Sequence, residues 1–295
     1  MDSNHPWEQS VVIALRDSQW HNRSMAPGAL YPDSYVALDG KPETNYGDAI
    51  FLNDERLFLF EIKATHEEIR DEWSRVDSKG HLKPKNAFVK LSSHIRDDGI
   101  AGNYVTPSIR GHHFCYWSEQ EVGGEVLGSL TIEPYLTAIA RRELRKDDAL
   151  RDISTKLIDR FRIGLPISRP GNGETSFESV GSMSILHLTS NFGRMLTKGE
   201  DGSYEWGNFG LEPDEFKEYL DFLSGGRDEL IKAVVMSSRG SFFRCVEKVS
   251  ELESIFDPDK GFVMSRSKRP GSKVVTATPA YRERVGPILT SRHSR

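Results

Sequence analysis

The sequence has little cysteine and no long apolar run. It contains 295 residues but only two cysteines, Cys115 and Cys245, which is too few for the disulfide framework of a small secreted protein. No apolar stretch reaches the roughly 18 residues that a bilayer-spanning helix needs. The chain begins with Asp2 and His5 rather than with a basic flank and an apolar stretch, which argues against a secretory signal. We therefore expect a chain without a membrane partner that works in the reducing cytoplasm.

Two familiar binding signatures are also incomplete. The glycine-rich run from Pro170 to Gly173 is not followed by the Gly-Lys-Ser/Thr of a phosphate-binding P-loop. His112, His113 and Cys115 lie in an aromatic run without a partner pair at the usual zinc-ligand spacing, which favours a packed strand over a zinc site. The net charge of −5 argues against a protein that coats nucleic acid through its overall charge, but it permits an enzyme whose positive charge is local.

Hydrophobic periodicity divides the chain into a first region of mixed helices and strands and a second region that is mostly helical. The first region predicts helices over 6–20, 65–73 and 86–95, with Thr65 as an N-cap and Glu68 three residues later. It also predicts strands over 34–38, 47–52, 57–63, 112–117 and 126–132. From Glu133 onward we expect charged helical material, a loop over 164–181, a strand over 183–188, and helices over 213–223, 227–236 and 241–256. The segment from Gly261 is predicted to be an extended basic tail.

The runs 47–52 and 57–63 predict a β-hairpin that gathers charged residues at one end. If residues 53–56 form the turn, Leu52 faces Leu57, and Asp48 lies directly opposite Glu61. Paired side chains of this kind have Cβ atoms roughly 4.5–5.5 Å apart. Lys63 follows Glu61 by two residues, so the period of a strand places it on the same face. Phe51, Phe58, Phe60 and Ile62 are expected on the opposite, apolar face.

Two opposed carboxylates destabilise a hairpin unless a cation lies between them. Mg²⁺ prefers hard oxygen ligands in near-octahedral geometry, so Asp48 and Glu61 together with water and a phosphate oxygen suit it. A bound Mg²⁺ activates water and neutralises the charge that develops on a phosphate. Lys63 would orient the attacking water or stabilise the transition state. The hairpin therefore predicts a magnesium-dependent site for phosphodiester hydrolysis.

The order Asp48, then Glu61-Ile62-Lys63, resembles the motif of the PD-(D/E)XK nuclease superfamily, which includes many restriction enzymes. The resemblance covers roughly residues 6 to 120. It implies that Asp48 and Glu61 bind the metal, with the Ile62 carbonyl as a third ligand, and that Lys63 serves the chemistry. Glu8 occupies the place of an acidic residue that many members carry on the helix before the hairpin.

The sequence departs from the family pattern at two places. Gly47 precedes Asp48, where the name of the motif has proline. Some members carry a polar residue, often Gln, on the helix after the lysine, and here the candidates are Lys85, Asn86 and Lys90. We take Lys85 and Lys90, with Lys268 and Arg269 of the basic tail, as candidate contacts to nucleic acid.

The resemblance implies an α/β fold with a restriction-endonuclease-like mixed sheet flanked by helices. We expect a nuclease-like domain over 1–135, a mostly helical accessory region over 136–260 and the basic tail over 261–295. The expected activity is a Mg²⁺- or Mn²⁺-dependent nuclease, acting on DNA more than on RNA, in a restriction or phage-defence setting. The C-terminal region would dock a protein partner. The alternatives are an inactive nuclease-fold scaffold that binds nucleic acid or protein, and a zinc site at His112 and Cys115.

Overall fold

The computed structural model describes residues 7–24, 35–38, 43, 46–53, 56–167, 176–190, 192–226, 230–236 and 243–248. These residues belong to one compact unit, Met1–Asp259. The predicted tail from Gly261, including Lys268 and Arg269, lies outside the described residues. Across residue 135 the chain packs without interruption, because the Tyr135 ring stacks on Phe114 with the centroids 4.7 Å apart.

The described residues form eight α-helices and twelve strands. The α-helices are α1 Glu8–Ser24, α2 Asp71–Ser74, α3 Asn86–Asp98, α4 Val105–Gly111, α5 Tyr135–Arg142, α6 Arg151–Arg160, α7 Ile185–Thr189 and α8 Pro213–Ser224. The strands are β1 Tyr35–Ala37, β2 Ala49–Asn53, β3 Arg56–Thr65, β4 His112–Val122, β5 Glu125–Pro134, β6 Phe161–Ile167, β7 Ser176–Val180, β8 Met183–Ser184, β9 Arg194–Lys198, β10 Tyr204–Gly207, β11 Leu230–Met236 and β12 Phe243–Lys248. None of the helices within the described ranges is long and apolar enough to cross a membrane.

The central element is a six-stranded mixed sheet with the order β1-β2-β3-β4-β5-β8. Strands β3 and β4 are parallel, and the other pairs are antiparallel. Leu52 pairs with Leu57, so the predicted hairpin register is confirmed. The α/β class with a mixed sheet flanked by helices is likewise confirmed.

Alternation along β3 and β4 gives the sheet two different faces. On one face, the Phe58 and Phe60 rings stack on each other with centroids 6.2 Å apart and lie against His113. On the other face, His112 of β4 lies against Tyr135 of α5 and Tyr219 of α8. Because Glu61 and Lys63 alternate with Phe60 and Ile62, they face the side that α5 and α8 cover.

The expectation of a mostly helical C-terminal region is wrong for the described residues. Helix α8 agrees with the prediction over 213–223, but β6, β7, β9 and β10 form a four-stranded antiparallel sheet. The segments predicted as helices over 227–236 and 241–256 contain the paired strands β11 and β12. Their short runs, Leu-Ile-Lys-Ala-Val-Val-Met and Phe-Arg-Cys-Val-Glu-Lys, carry β-branched residues that suit a strand, and periodicity cannot separate helix from strand over so few residues.

Two shorter assignments are also wrong. The strand predicted over 183–188 ends at Ser184, whose hydroxyl accepts a hydrogen bond from the Leu186 N–H at 3.3 Å and caps α7. The loop predicted over 164–181 is occupied at both ends by β6 and β7. Gly164 lies inside β6, where it pairs with Ser179 and Arg194. Glycine suits this position because a Cβ there would come within 2.8 Å of Leu196 Cγ on the neighbouring strand.

The segment after β3 differs from the predicted helix in its first turn. Residues His66–Arg70 form a 3₁₀ turn that leads into α2, and Thr65 makes no side-chain cap. In a capping box the Glu68 carboxylate would accept the N–H of the N-cap residue Thr65. Its Oε2 instead accepts the N–H of the preceding residue, Ala64, at 3.0 Å. This short, irregular connection positions α2 beside the end of β3.

Gly111 packs so closely against Leu211 that an added methyl group should destabilise the fold. A Cβ at Gly111 would lie 2.5 Å from Leu211 Cγ, and the Leu211 backbone is held by two hydrogen bonds to Leu57 of 2.9 and 3.0 Å. We expect Gly111→Ala to lower the free energy of unfolding by about 1–3 kcal/mol through overpacking. In a Leu211→Ala background, which itself costs about 2–5 kcal/mol, the same change should cost less.

Urea unfolding of the four proteins measures this coupling. Gly207→Ala is the matched control, because its Cβ would meet only Met195 Cε at 3.9 Å. An equal cost of Gly111→Ala in both backgrounds would show that Leu211 does not limit the space at Gly111.

Candidate active site

Strand β3 carries two buried charged residues on the face covered by α5 and α8. Glu61 is 1% exposed and Lys63 is 5% exposed. The Lys63 Nζ lies 3.8 Å from Glu61 Oε2, so the two side chains meet on one face as the hairpin predicted. A buried charge is costly unless it is paired, and the surrounding residues therefore have to supply partners.

Asp48 immediately precedes β2 and is held to β3 by two hydrogen bonds. Its backbone N–H donates to the Phe60 carbonyl at 2.8 Å, and its Oδ2 accepts the Ile62 N–H at 2.6 Å. The side chain of Asp48 thus takes the place of a strand hydrogen-bond partner and lies beside Glu61. Asp48, Glu61 and Lys63 are brought together as the sequence predicted.

Gly47 is required for this placement of Asp48. Its φ of 155° lies in the region that glycine alone adopts readily. A Cβ at this position would come within 3.0 Å of the Phe60 carbonyl oxygen. Proline, with φ fixed near −65°, does not fit this backbone, which explains the departure from the proline of the motif.

Glu72 of α2 is a partner of Lys63 that the sequence did not reveal. It is fully buried, and its Oε1 lies 3.0 Å from Lys63 Nζ. Its Oε2 accepts a hydrogen bond from the Tyr135 hydroxyl at 2.9 Å. The only sequence signal was the acid-rich segment after β3, which does not single out Glu72 from its neighbours Glu67, Glu68 and Asp71.

Lys85 lies inside the site rather than on an exposed nucleic-acid surface. It immediately precedes α3 and is 7% exposed. Its Nζ is 3.8 Å from Glu43 Oε1, 3.8 Å from Asp48 Oδ1 and 3.6 Å from Glu61 Oε2. The ammonium therefore occupies the space among three carboxylates.

The other predicted residues are placed less centrally. Lys90 lies further along α3, with its Nζ beside Gly225 at the end of α8, and does not join the cluster. Glu8 is exposed in the first turn of α1. Partial burial raises the pKa of Glu8, while Lys63 lowers it and Asp48 raises it, so Glu8 interacts electrostatically with the site.

The electrostatics of the cluster favour the charged forms of Lys63 and Lys85 and disfavour the ionised form of Glu61. Burial, and then the Glu72 and Asp48 carboxylates, raise the pKa of Glu61 well above its ordinary value. Burial opposes the charged form of Lys63, but Glu72 and Glu61 outweigh it and raise the pKa of the ammonium. The pKa of Lys85 is raised in the same way, because Glu61 and Asp48 outweigh the effect of burial.

The cluster contains the donor types that a divalent cation prefers, with Lys85 between them. In the part of the chain that the structure describes, no group of three or more His, Cys, Asp or Glu side chains is arranged to hold a metal ion. Glu61 Oε2 is nevertheless a buried oxygen without a hydrogen-bond partner. With Asp48 it offers the hard oxygen donors that Mg²⁺ prefers. A metal bound to both would replace the ammonium of Lys85 between them.

The two histidines and Cys115 on β4 do not form a common ligand set. Alternation places His112 on the face of Glu61 and places His113 and Cys115 on the opposite face. His112 Nδ1 is hydrogen-bonded to the Tyr219 hydroxyl at 2.9 Å. Burial lowers the pKa of His113 to about 3 and raises that of Cys115 to about 12, so both stay neutral. The alternative of zinc at His112 and Cys115 has no support from this geometry.

The raised pKa of Glu61 predicts how the stability of the metal-free protein depends on pH. The folded state holds the Glu61 proton more tightly than the unfolded state, so the free energy of unfolding falls as the pH rises from about 4.5 through the folded pKa. Glu61→Gln removes this dependence and should stabilise the metal-free protein at pH 8 relative to the wild type. The advantage should shrink toward pH 4.

Chemical unfolding in EDTA between pH 4 and pH 8 measures this difference. Glu143→Gln is a suitable control, because Glu143 lies in an exposed pair with Lys146. A Glu61→Gln protein that is less stable than the wild type at pH 8 would contradict the raised pKa.

Comparisons with known proteins find no relative with which to compare this site. No family model matches the chain, no curated protein matches it, and no solved structure matches it.

Proposed function

We propose that the chain is a metal-dependent nuclease that hydrolyses phosphodiester bonds, with Mg²⁺ or Mn²⁺ held by Asp48 and Glu61. The observation that carries the proposal is Glu61 Oε2, a buried carboxylate oxygen with no hydrogen-bond donor. It lies next to Asp48 and Lys63 in the order and on the face that the nuclease motif requires. The preference for DNA over RNA, and the restriction or phage-defence setting, rest on the resemblance alone.

The charge balance of the cluster supports a divalent cation. Four carboxylates, those of Glu43, Asp48, Glu61 and Glu72, surround the two ammonium groups of Lys63 and Lys85. The cluster therefore carries an excess of two negative charges when every group is ionised. One divalent cation neutralises this excess without a change of protonation. Without a metal, burial and then the Glu72 and Asp48 carboxylates raise the pKa of Glu61.

Each residue of the cluster then has a distinct task. Bound at Asp48 and Glu61, a divalent cation supplies polarisation of a phosphoryl oxygen and a lowered pKa for its bound water. Lys63 keeps its charge and has three N–H donors, of which the Glu72 contact uses one. The remaining donors would hold the attacking water or an oxygen of the phosphate as negative charge develops. The Ile62 carbonyl and Glu8 would complete the ligand set.

One observation favours the alternative of an inactive scaffold. The Lys85 ammonium already lies within 3.6–3.8 Å of Glu43, Asp48 and Glu61, so the cluster is partly neutralised without a metal. A scaffold of this kind would hold its charges together by Lys63 and Lys85 and would not respond to Mg²⁺. A thermal shift on addition of Mg²⁺ therefore separates the two functions.

Cleavage assays test the proposal directly. Purified protein is incubated with single-stranded DNA, duplex DNA and RNA in Mg²⁺ or Mn²⁺, beside Asp48→Ala and Lys63→Ala. We expect metal-dependent cleavage that each substitution reduces by at least about 100-fold, because each removes charge stabilisation at the reacting phosphate.

Lys198→Ala is the matched control, because Lys198 of β9 is paired with Asp159 outside the cluster and its loss should leave the rate unchanged. Cleavage that survives both active-site substitutions would contradict the proposal. Absence of cleavage together with absence of a Mg²⁺-induced thermal shift would establish the scaffold instead.

A second prediction concerns how Lys63 is positioned. Tyr135→Phe removes the hydroxyl that fixes Glu72 Oε2, and Glu72 in turn fixes Lys63. We expect the cleavage rate at saturating substrate and metal to fall about tenfold, equivalent to about 1.4 kcal/mol. The affinity for Mg²⁺ should change much less than the rate, because the Tyr135 hydroxyl is bonded to Glu72 rather than to Asp48 or Glu61.

Tyr219→Phe is the matched control for this change. Tyr219 is also fully buried, but its hydroxyl is bonded to His112. Both substitutions should lower the free energy of unfolding by about 1–3 kcal/mol through an unsatisfied partner, and only Tyr135→Phe should lower the rate. Equal rates for the two variants would show that Glu72 does not position Lys63.

A further inference from the structure

A second buried carboxylate lies on the same face of the sheet as Glu61. Glu133 of β5 is 1% exposed. Arg142 of α5 binds both of its oxygens, with Nη1 to Oε1 at 3.0 Å and Nη2 to Oε2 at 2.7 Å. This bidentate pair neutralises the charge of Glu133. The same Nη1 also donates to the Ala138 carbonyl at 3.1 Å, so Arg142 makes three hydrogen bonds within the protein.

Arg141 adds a positive charge that Glu133 does not balance. Its Nη1 also donates to Glu133 Oε1, but a guanidinium has five N–H donors. The side chain is 32% exposed. A Cβ at residue 181 would come within 3.1 Å of both terminal nitrogens of Arg141, so the guanidinium packs against the backbone of Gly181. Arg141 is therefore an oriented, partly exposed cation with donors to spare.

Strand register relates this cation to the candidate active site. Glu61 of β3 pairs with Phe114 of β4, and Phe114 pairs with Glu133 of β5. Paired residues project to the same face, so Glu133 lies on the face of Glu61 two strand spacings away, at about 10 Å. Tyr116, which pairs with Lys63, lies on the same face between the two groups.

We propose that Arg141 binds a backbone phosphate of the nucleic-acid substrate a few nucleotides from the phosphate that reacts at Glu61 and Lys63. The inference rests on the proposed function and adds a contact to the same substrate. The planar guanidinium matches the geometry of a phosphate, and Glu133 together with Gly181 orients it before the substrate arrives. Lys85, by contrast, is buried among three carboxylates.

Salt-dependent binding measures the number of phosphate contacts. The affinity of Lys63→Ala protein, which should bind without cutting, is measured by fluorescence anisotropy on labelled duplex and single-stranded DNA between about 50 and 200 mM NaCl. Each lost contact reduces the slope of log affinity against log salt by about 0.9 on duplex or 0.7 on single strands. We expect this loss for Arg141→Gln and its recovery for Arg141→Lys, which restores the charge.

Arg96→Gln is the matched control. It removes the same charge from a half-exposed arginine that is paired with Asp147, and it should leave the slope unchanged. Because Arg142 continues to bind both oxygens of Glu133 in the Arg141 variants, their melting temperatures should stay close to that of the parent protein.

The outcomes separate this inference from the proposed function. An unchanged slope for Arg141→Gln, or an equal loss for Arg96→Gln, overturns the role of Arg141 while metal-dependent cleavage by the otherwise unaltered protein stands. A protein that neither cuts nor binds nucleic acid overturns both. A reduced slope combined with an unchanged cleavage rate at saturating substrate is the result expected for a contact remote from the reacting phosphate.

Discussion

Burial of Glu61 in the middle of the sheet is the constraint on which the site depends. A carboxylate that is 1% exposed loses nearly all of its hydration, and the loss costs several kcal/mol unless other charges replace the water. Lys63 and Lys85 supply that replacement from two directions. Lys63 is buried as well and needs its own counter-charge, which Glu72 provides. The chain of partners ends at the Tyr135 hydroxyl, a neutral group that is inexpensive to bury once it is hydrogen-bonded.

The parts of the site that the sequence predicts are those that local geometry determines. The period of two along β3 and the short turn after β2 are sufficient to bring Asp48, Glu61 and Lys63 together. Glu72, Lys85 and Tyr135 reach the site by tertiary packing. Tyr135 is separated from Glu72 by 63 residues, and no pattern in the chain links them. Lys85 is predicted to contact nucleic acid, whereas it immediately precedes α3 and is buried among three carboxylates.

The same distinction explains the errors in the second half of the chain. Helix α8 was predictable because it has a proline in its first turn and a glycine in left-handed conformation at its end. The strands β11 and β12 have seven and six residues, a length at which helical and strand patterns overlap. Their identity depends on pairing with each other, which the sequence does not encode locally. Gly164 is a similar case. It suggests a loop in the sequence, but the residue is paired within a sheet and its missing side chain leaves room for Leu196 of another strand.

Glu61 and Glu133 show that the fold satisfies its buried glutamates to different degrees. Both carboxylates are 1% exposed and project from the same face of the sheet. Glu133 accepts hydrogen bonds at both oxygens from Arg142, with a further one from Arg141. Glu61 Oε2 has two ammonium groups at 3.6 and 3.8 Å and no donor at hydrogen-bonding distance. The fold can therefore satisfy a buried glutamate completely where a guanidinium reaches both oxygens, whereas at Glu61 Oε2 it relies on the longer-range attraction of two ammonium groups.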